Sequence, residues 1–210
     1  MASLKRTTCL IEDAMHEHER FMHIALEEAS VAQRAGEVPV CAVVVLGDQV
    51  VGRGHNSSLA LMDPTGHAEV LALRAAATST GNYRLVGATL YCTVEPCLMC
   101  LGTAMHARIS RLVYGAPDLK VGATGRLEAL RASGADFNHR VVTTGGVLAE
   151  RASEMLLNFF RERRAHARGL TLNADMERYR SGRNGGASKA PCLREEARGF
   201  ESHPLRQRSG

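Results

Sequence analysis

The sequence predicts an α/β protein, a three-layer α-β-α sandwich built on a mixed five-stranded sheet. A β-hairpin comes first, and strands and helices then alternate along the chain. This order is typical of a sheet that is covered by helices on both faces. The first strand, VCAVVVL at residues 40–46, is apolar almost throughout. Such a run is expected where both faces of a strand are buried. The order of the elements and the apolar first strand therefore both predict a sheet that is covered by helices on both faces.

Each predicted strand is a short run of mostly apolar residues that lies between turn signals. Gly47 and Asp48 provide the tight turn between the first two strands. The segment ATLYCT provides the third strand, and the fourth and fifth follow the third and fourth helices. In chain order the predicted strands span residues 40–46, 49–54, 88–93, 109–114 and 141–144.

The helices are predicted from apolar residues that recur three and four positions apart. Gly36 closes the first helix, and Gly81 lies just past the end of the second. Pro96 stands at the start of the third, where proline is favoured. The last helix ends in the run FFRERR. In chain order the predicted helices span residues 12–34, 67–79, 97–107, 126–133 and 149–164.

The 210 residues predict one domain over residues 13–166. Residues 1–12 are expected to form a flexible extension, and residues 167–210 a basic, disordered tail without periodicity. Residues 161–210 carry 12 Lys and Arg against 6 Asp and Glu; this balance of +6 leaves −2 for the first 160 residues, because the whole chain carries +4. The basic end could contact nucleic acid or be a solvated tail, and charge alone leaves both open.

Composition excludes several classes of protein. With 45% hydrophobic and 23% charged residues, the chain is neither wholly disordered nor collagen-like nor a coiled coil. No apolar run approaches the roughly 18 residues that a membrane span requires, and positions 12, 13, 17 and 19 are acidic, in a stretch where a signal peptide would be apolar. Six cysteines are too few for a disulfide scaffold. We therefore expect a cytoplasmic protein without membrane contact.

Three short features carry the chemistry: His67 with Glu69, Pro96 with Cys97, and Cys100. The CxxC spacing puts two thiols one helical turn apart on the same face. The two helix starts are expected side by side at the carboxyl ends of the strands, where open α/β sheets bind ligands. One histidine and two cysteines supply three zinc ligands and leave a position for water, as in catalytic sites. Glu69 could then move the proton of that water.

Two other interpretations of the cysteine pair are weaker. A redox CxxC has no need of the HxE triplet beside it. A closed structural zinc site needs a fourth ligand, but the other cysteines, at positions 9, 41, 92 and 192, form no second CxxC. The combination of HxE and PCxxC, each at a predicted helix start, favours a catalytic metal site.

HxE followed by PCxxC is the signature of zinc-dependent nucleobase deaminases. Longer stretches over about residues 18–165 resemble the bacterial tRNA-specific adenosine deaminase family more closely than the signature requires. These stretches are EVPVCAVVV, HNSS, DPTGHAEVLALR, NYRL, ATLYCTVEPCLMC, MHARISRLVYGAPD, GATG, NHR and FFRERR.

The resemblance implies a cytidine-deaminase-like fold, with one Zn²⁺ per subunit bound by His67, Cys97 and Cys100. It implies that Glu69 is the catalytic proton shuttle. The implied reaction is the hydrolytic deamination of adenosine to inosine at the wobble position of a tRNA anticodon, with an arginine tRNA as the expected substrate. It also implies a homodimer in which the basic end of one subunit completes the site for the anticodon stem-loop on the other.

Four further residues match substrate contacts of the family, so the resemblance assigns them to RNA binding: Asn56, Asp118, Phe160 and Arg161. Each also has a structural interpretation. Asn56 could cap a loop, and Asp118 could be a solvated turn residue. In the aromatic pair at the end of the last helix, Phe159 is the residue expected to pack in the core.

The chain departs from the family pattern at Cys41, where glycine is usual, and at Gly66, where alanine is usual. Cys41 is expected at the pocket wall, where its bulkier side chain could narrow the site or merely sit in the core. Gly66 is expected to have little effect. Two alternative functions stay open: a deaminase of free guanine or cytosine bases or nucleosides, and a non-catalytic zinc-stabilised RNA-binding module. The basic last helix favours RNA as substrate, and Glu69 favours catalysis.

Overall fold

The computed structural model describes residues 2–180, with side chains for residues 15–166, 168 and 169. Its centre is a five-stranded sheet with strand order β2-β1-β3-β4-β5. β1 pairs antiparallel with β2 and β3, whereas β3, β4 and β5 are parallel. In chain order the strands are β1 (Cys41–Leu46), β2 (Gln49–His55), β3 (Thr89–Val94), β4 (Arg111–Ala116) and β5 (Val142–Gly145). The predicted mixed five-stranded sheet is confirmed.

Helices cover both faces of this sheet, which confirms the predicted three layers. Side chains of α3, α4 and α5 form one apolar core with the sheet, and those of α1 and the start of α6 form the other. The helices are α1 (Ala2–Arg34), α2 (Ser58–Leu61), α3 (Ala68–Thr80), α4 (Leu98–His106), α5 (Thr124–Ala132) and α6 (Ala149–Arg180).

The helix α3 lies directly on β2, and two glycines make this possible. A side chain at Gly52 or Gly54 would overlap the backbone of α3 at Ala72 or Ala68. The sequence QVVGRGH therefore gives β2 a flat face on which α3 rests. This close packing fixes where α3 begins, and with it the position of His67.

The terminal helices are longer than predicted. α1 begins at Ala2, within the segment expected to be a flexible extension, and α6 continues to Arg180, within the tail expected to be disordered. No glycine or proline occurs in residues 2–34, and Gly169 is the only one in residues 149–180, so the backbone has no strong stop signal in either segment. Residues 181–210 of the predicted tail lie outside the described residues.

The part of the chain that the structure describes divides after His166, and the candidate site lies wholly within the unit before that division. The domain boundaries given by the sequence remain predictions. Over the residues that the structure describes, none of the helices combines the length and the apolar character that crossing a membrane would require.

Candidate active site

His67 and Cys97 occupy equivalent positions at the starts of α3 and α4. Each is the residue just before the first helical turn, with an extended backbone, and neither side chain makes a capping hydrogen bond to its own helix. Cys100 follows one turn into α4 and is fully buried. The start of each helix thus directs a ligand-type side chain toward the other, as the sequence predicted.

The three ligand atoms form a nearly equilateral triangle. His67 Nδ1 lies 3.7 Å from Cys97 Sγ and 3.5 Å from Cys100 Sγ, and the two sulfurs are 3.6 Å apart. Tetrahedral zinc with Zn–S bonds of about 2.3 Å and a Zn–N bond of about 2.0 Å sets S–S separations of about 3.8 Å and S–N separations of about 3.5 Å. The three residues therefore fit zinc in both donor type and spacing.

The surroundings of the Cys100 thiol also favour the binding of a cation. Burial raises the pKa of the Cys100 thiol, and the Glu69 carboxylate acts in the same direction. A buried thiol of this kind becomes a thiolate when a metal ion replaces its proton. The Cys100 thiol is thus better suited to metal binding than to reaction as a free thiolate.

Glu69, in the first turn of α3, is 4% exposed. Burial raises the pKa of its carboxyl group, and hydrogen bonding to its own backbone and the nearby His67 act in the opposite direction. Because burial disfavours the charged carboxylate, this group is suited to accept a proton and pass it on. Its position two residues after His67 puts it beside the ligand triangle without making it a ligand.

A cavity of about 250 Å³ opens beside the cluster and holds most of the predicted site residues. The sequence-predicted residues at its wall are His67, Glu69, Cys97, Asn56 and Asp118. Cys100 joins the group through its contacts with His67 and Cys97. The other residues that line the cavity are Val38, Val40, Ser58, Val94, Glu95 and Val121.

Phe160 and Arg161 are not among the residues that line this cavity. Phe160, on α6, is 44% exposed and contacts the ring of the buried Phe159 edge-on. The Arg161 guanidinium lies 3.5 Å from the Asn158 side-chain oxygen. Their assignment to RNA binding therefore remains a prediction, whereas Phe159 packs in the core as expected.

Two glutamates that hold the cavity walls were not among the predicted site residues, and one of them is Glu37, which lies behind Asn56. Its carboxylate is 2% exposed and accepts hydrogen bonds from the backbone N–H groups of Leu59 and Ala60. It thereby caps α2, a single turn within a segment that the sequence predicted as loop. It also accepts a hydrogen bond from the side chain of Asn56.

The second is Glu95, which follows β3 and anchors a different loop. Its Oε1 accepts hydrogen bonds from the Thr124 N–H at 3.1 Å and the Thr124 hydroxyl at 2.5 Å. Its Oε2 accepts one from the Asp118 N–H at 3.1 Å. Any side chain at Gly122 would overlap the Glu95 carboxylate. The segments EVP and VEP indicate such a role, because a charged residue next to an apolar run needs hydrogen-bond partners where it is buried.

The structure places both departures from the family pattern. Cys41 is fully buried in the apolar core on the α1 side, together with Phe21 and Val43, whereas Ala42 faces the α3 side. The expectation that Cys41 lies at the pocket wall is wrong, because alternate residues of β1 point to opposite faces. A methyl group at Gly66 would lie 3.0 Å from the Asp63 carbonyl oxygen, so the loop before His67 is tightly closed there.

Comparison with known proteins agrees with this site. The family model of the cytidine and deoxycytidylate deaminase zinc-binding region matches residues 15–116. Together with the ligand triangle, this match confirms zinc as the cofactor. The roles of the individual residues remain predictions.

Relatives that match over most of their own length give a narrower family. The chain is 47% identical over 148 residues to the tRNA-specific adenosine deaminase of Haemophilus influenzae, covering 70% of this chain and 84% of that protein. It is 39% identical over 159 residues to the enzyme of the same name from Bacillus subtilis, covering 76% of this chain and 98% of that protein.

A solved structure from a study of A-to-I editing by tRNA:A34 deaminases at the wobble position of transfer RNA has the same fold. It superimposes with a TM-score of 0.60 at 39% identity, over 65% of this chain and 99% of that one. Sequence, fold and metal site thus agree, and the chain belongs to the tRNA-specific adenosine deaminase family.

Proposed function

We propose that this protein converts adenosine to inosine by hydrolysis at the wobble position of a tRNA anticodon, with an arginine tRNA as substrate. The observation that carries the proposal is the burial of Glu69 beside the ligand triangle in a pocket that also presents Asn56. A proton carrier, a metal site and a hydrogen-bonding amide are the groups that hydrolytic deamination of a base requires.

In the proposed reaction, adenosine and water give inosine and ammonia. Zinc held by His67, Cys97 and Cys100 supplies an activated water nucleophile and a positive charge at the reacting centre. Glu69 accepts one proton from the attacking water and delivers it to N1 of the base. It then takes the second proton of the same water, from the hydroxyl group formed at C6, and gives it to the amine, which leaves as ammonia when the C6–N bond breaks. Burial suits Glu69 to this role because its raised pKa lets the carboxyl group hold the proton between the two transfers.

The proposed RNA contacts involve the pocket and α6. Because the reacting groups line a cavity, the target base must leave its stack to reach them, and Asn56 is proposed to bind it there. Asp118, at the cavity wall, is proposed to lie near the anticodon backbone. Phe160 and Arg161 are proposed to contact the stem-loop, which their exposure on α6 allows.

We further propose a homodimer, in which the basic end of α6 from one subunit completes the RNA site of the other. An apolar groove between α4 and α5 supports a subunit contact, because its rim exposes Leu98 and Leu130 to solvent at 63% and 46%. Closed dimers are the commonest symmetric assembly of soluble proteins.

A substrate panel on the purified, zinc-loaded protein tests the proposal. The panel holds an arginine tRNA with A at the wobble position, the same tRNA with G there, and free adenosine, guanine and cytosine. Inosine is measured by digestion and mass spectrometry, and ammonia release is measured in parallel. Inosine in the first tRNA alone is the expected result. Ammonia from a free base with no reaction of the tRNA would instead identify a small-molecule deaminase.

A further inference from the structure

We propose that Glu37 is a positioning residue that decides which end of the Asn56 side-chain amide meets the substrate. The inference rests on the proposed function, since it takes Asn56 as the residue that binds the base. Glu37 itself does not line the cavity, whereas Asn56 does. Its effect on the reaction would therefore pass through Asn56.

The two oxygens of the Glu37 carboxylate have separate partners. Oε1 accepts hydrogen bonds from the backbone N–H groups of Leu59 and Ala60, each at 2.8 Å. Oε2 accepts one from Asn56 Nδ2 at 3.3 Å. Among the described side chains, Glu37 is the one hydrogen-bond partner of the Asn56 amide. The amide therefore takes its orientation from a single neighbour.

The chemistry of this contact fixes the orientation. A carboxylate offers only acceptors, so the amide must turn its NH₂ group toward Glu37. The amide oxygen, Oδ1, then occupies the other branch of the planar group and is left to pair with the ligand. A ligand that offers a hydrogen-bond donor there, such as the exocyclic amine of a base or a ribose hydroxyl, finds an acceptor already in place.

Glu37 is held more firmly than the amide that it orients. The left-handed backbone of Gly36 turns the chain at the end of α1, where the Glu37 N–H bonds the Ala32 carbonyl at 3.0 Å. The two N–H groups of α2 then fix the carboxylate itself. On the other side, the Asn56 N–H bonds the Val40 carbonyl at 2.9 Å, which fixes its backbone but leaves rotation of the amide to Glu37.

The arrangement permits a nearly isosteric test. In Glu37→Gln, the amide oxygen is the only atom that can accept from Leu59 and Ala60, so the new NH₂ group must face Asn56. Asn56 then has to reverse its amide and present NH₂ to the ligand instead of oxygen. In Asn56→Asp, two carboxylates face each other and repel. In the double variant the new NH₂ group at position 37 donates to the new carboxylate at position 56, and an acceptor again faces the ligand.

The steady-state rate of inosine formation in tRNA is measured for wild type, both single variants and the double variant. We expect each single change to lower kcat/KM by roughly tenfold or more, mainly through KM. The double variant should recover at least tenfold over either single one. Glu28→Gln is the matched control, because Glu28 pairs with Arg53 away from the cavity. Wild-type kcat/KM in Glu37→Gln, or a double variant no better than the singles, would overturn the inference.

A second measurement is independent of the reaction. The side-chain amide signals of Asn56, identified in NMR spectra by their loss in Asn56→Asp, should exchange slowly with solvent in the wild type and faster in Glu37→Gln. Unchanged exchange would contradict the proposed contact, and equal zinc content and melting temperature exclude a general loss of structure. If wild type makes no inosine from any tRNA, the proposed function fails, and the exchange rates still decide whether Glu37 orients Asn56.

Discussion

The pocket is built from two groups of residues that the fold assembles in different ways. His67, Cys97 and Cys100, the ligand cluster, come from the starts of two helices. Glu37 and Glu95, the loop anchors, hold the segments that carry Asn56 and Asp118 by accepting backbone N–H groups. The two groups have different roles. The ligand cluster supplies the atoms that bind the metal, and the loop anchors fix the positions of the segments that form the rest of the pocket wall. Each can be perturbed separately.

The largest effect is expected from Cys100→Ala. The variant leaves two ligands at a site that needs three, so zinc content should fall from about one per chain to near zero, and inosine formation should be undetectable. Metal analysis of the purified variant checks this. Cys92→Ala is the matched control, because Cys92 is buried in the same core but lies outside the triangle. Full zinc occupancy in Cys100→Ala would remove that residue from the ligand cluster.

Glu69→Gln should separate metal binding from proton transfer. The amide is the same size but cannot carry a proton between water and base, so kcat should fall by about 10²–10⁴-fold. Zinc content and tRNA affinity should stay at the wild-type level, as measured by metal analysis and by filter binding. This result would also exclude a non-catalytic RNA-binding module. An unchanged rate of inosine formation would rule out the role of Glu69 as proton shuttle.

Glu95→Gln perturbs a loop anchor and leaves the ligand cluster intact. If the amide oxygen keeps Thr124, the new NH₂ group faces the Asp118 N–H, and two donors then oppose each other. We expect the free energy of unfolding to fall by about 1–3 kcal/mol, the cost of an unpaired polar group. Zinc content should not change. Denaturant titration and metal analysis check both points, and loss of zinc would show that the two groups are not separable.

The ligand cluster could be predicted from the sequence because each part of it is a recognisable motif at a helix start, although His67 lies 30 and 33 residues from the two cysteines. The CxxC spacing fixes the relation of Cys97 to Cys100, and the helix starts fix their direction. The partners of Glu37 are backbone N–H groups of Leu59 and Ala60, which carry no sequence motif, and no pattern shows that the end of α1 meets the segment after β2. The mixed sheet, like the cluster, could be predicted from the sequence, since it follows from the order of the elements.

The error at Cys41 has a different cause. Alternation of polar and apolar residues shows which side chains of a strand face the core, but β1 is apolar on both faces. The sequence therefore gives no indication of which face Cys41 takes. That choice depends on the pairing of β1 with β3 and on the helices that cover each side.

Cys41→Ala should give the smallest effect and tests whether this position belongs to the pocket at all. Because the thiol packs on the α1 side of the sheet, its removal should cost about 1 kcal/mol of unfolding free energy, as for other small losses of buried volume. KM and kcat for tRNA should equal those of the wild type. A changed KM at unchanged stability would place Cys41 at the pocket wall after all. Equal kinetics would show that this departure from the family pattern concerns core packing and is independent of both groups that build the pocket.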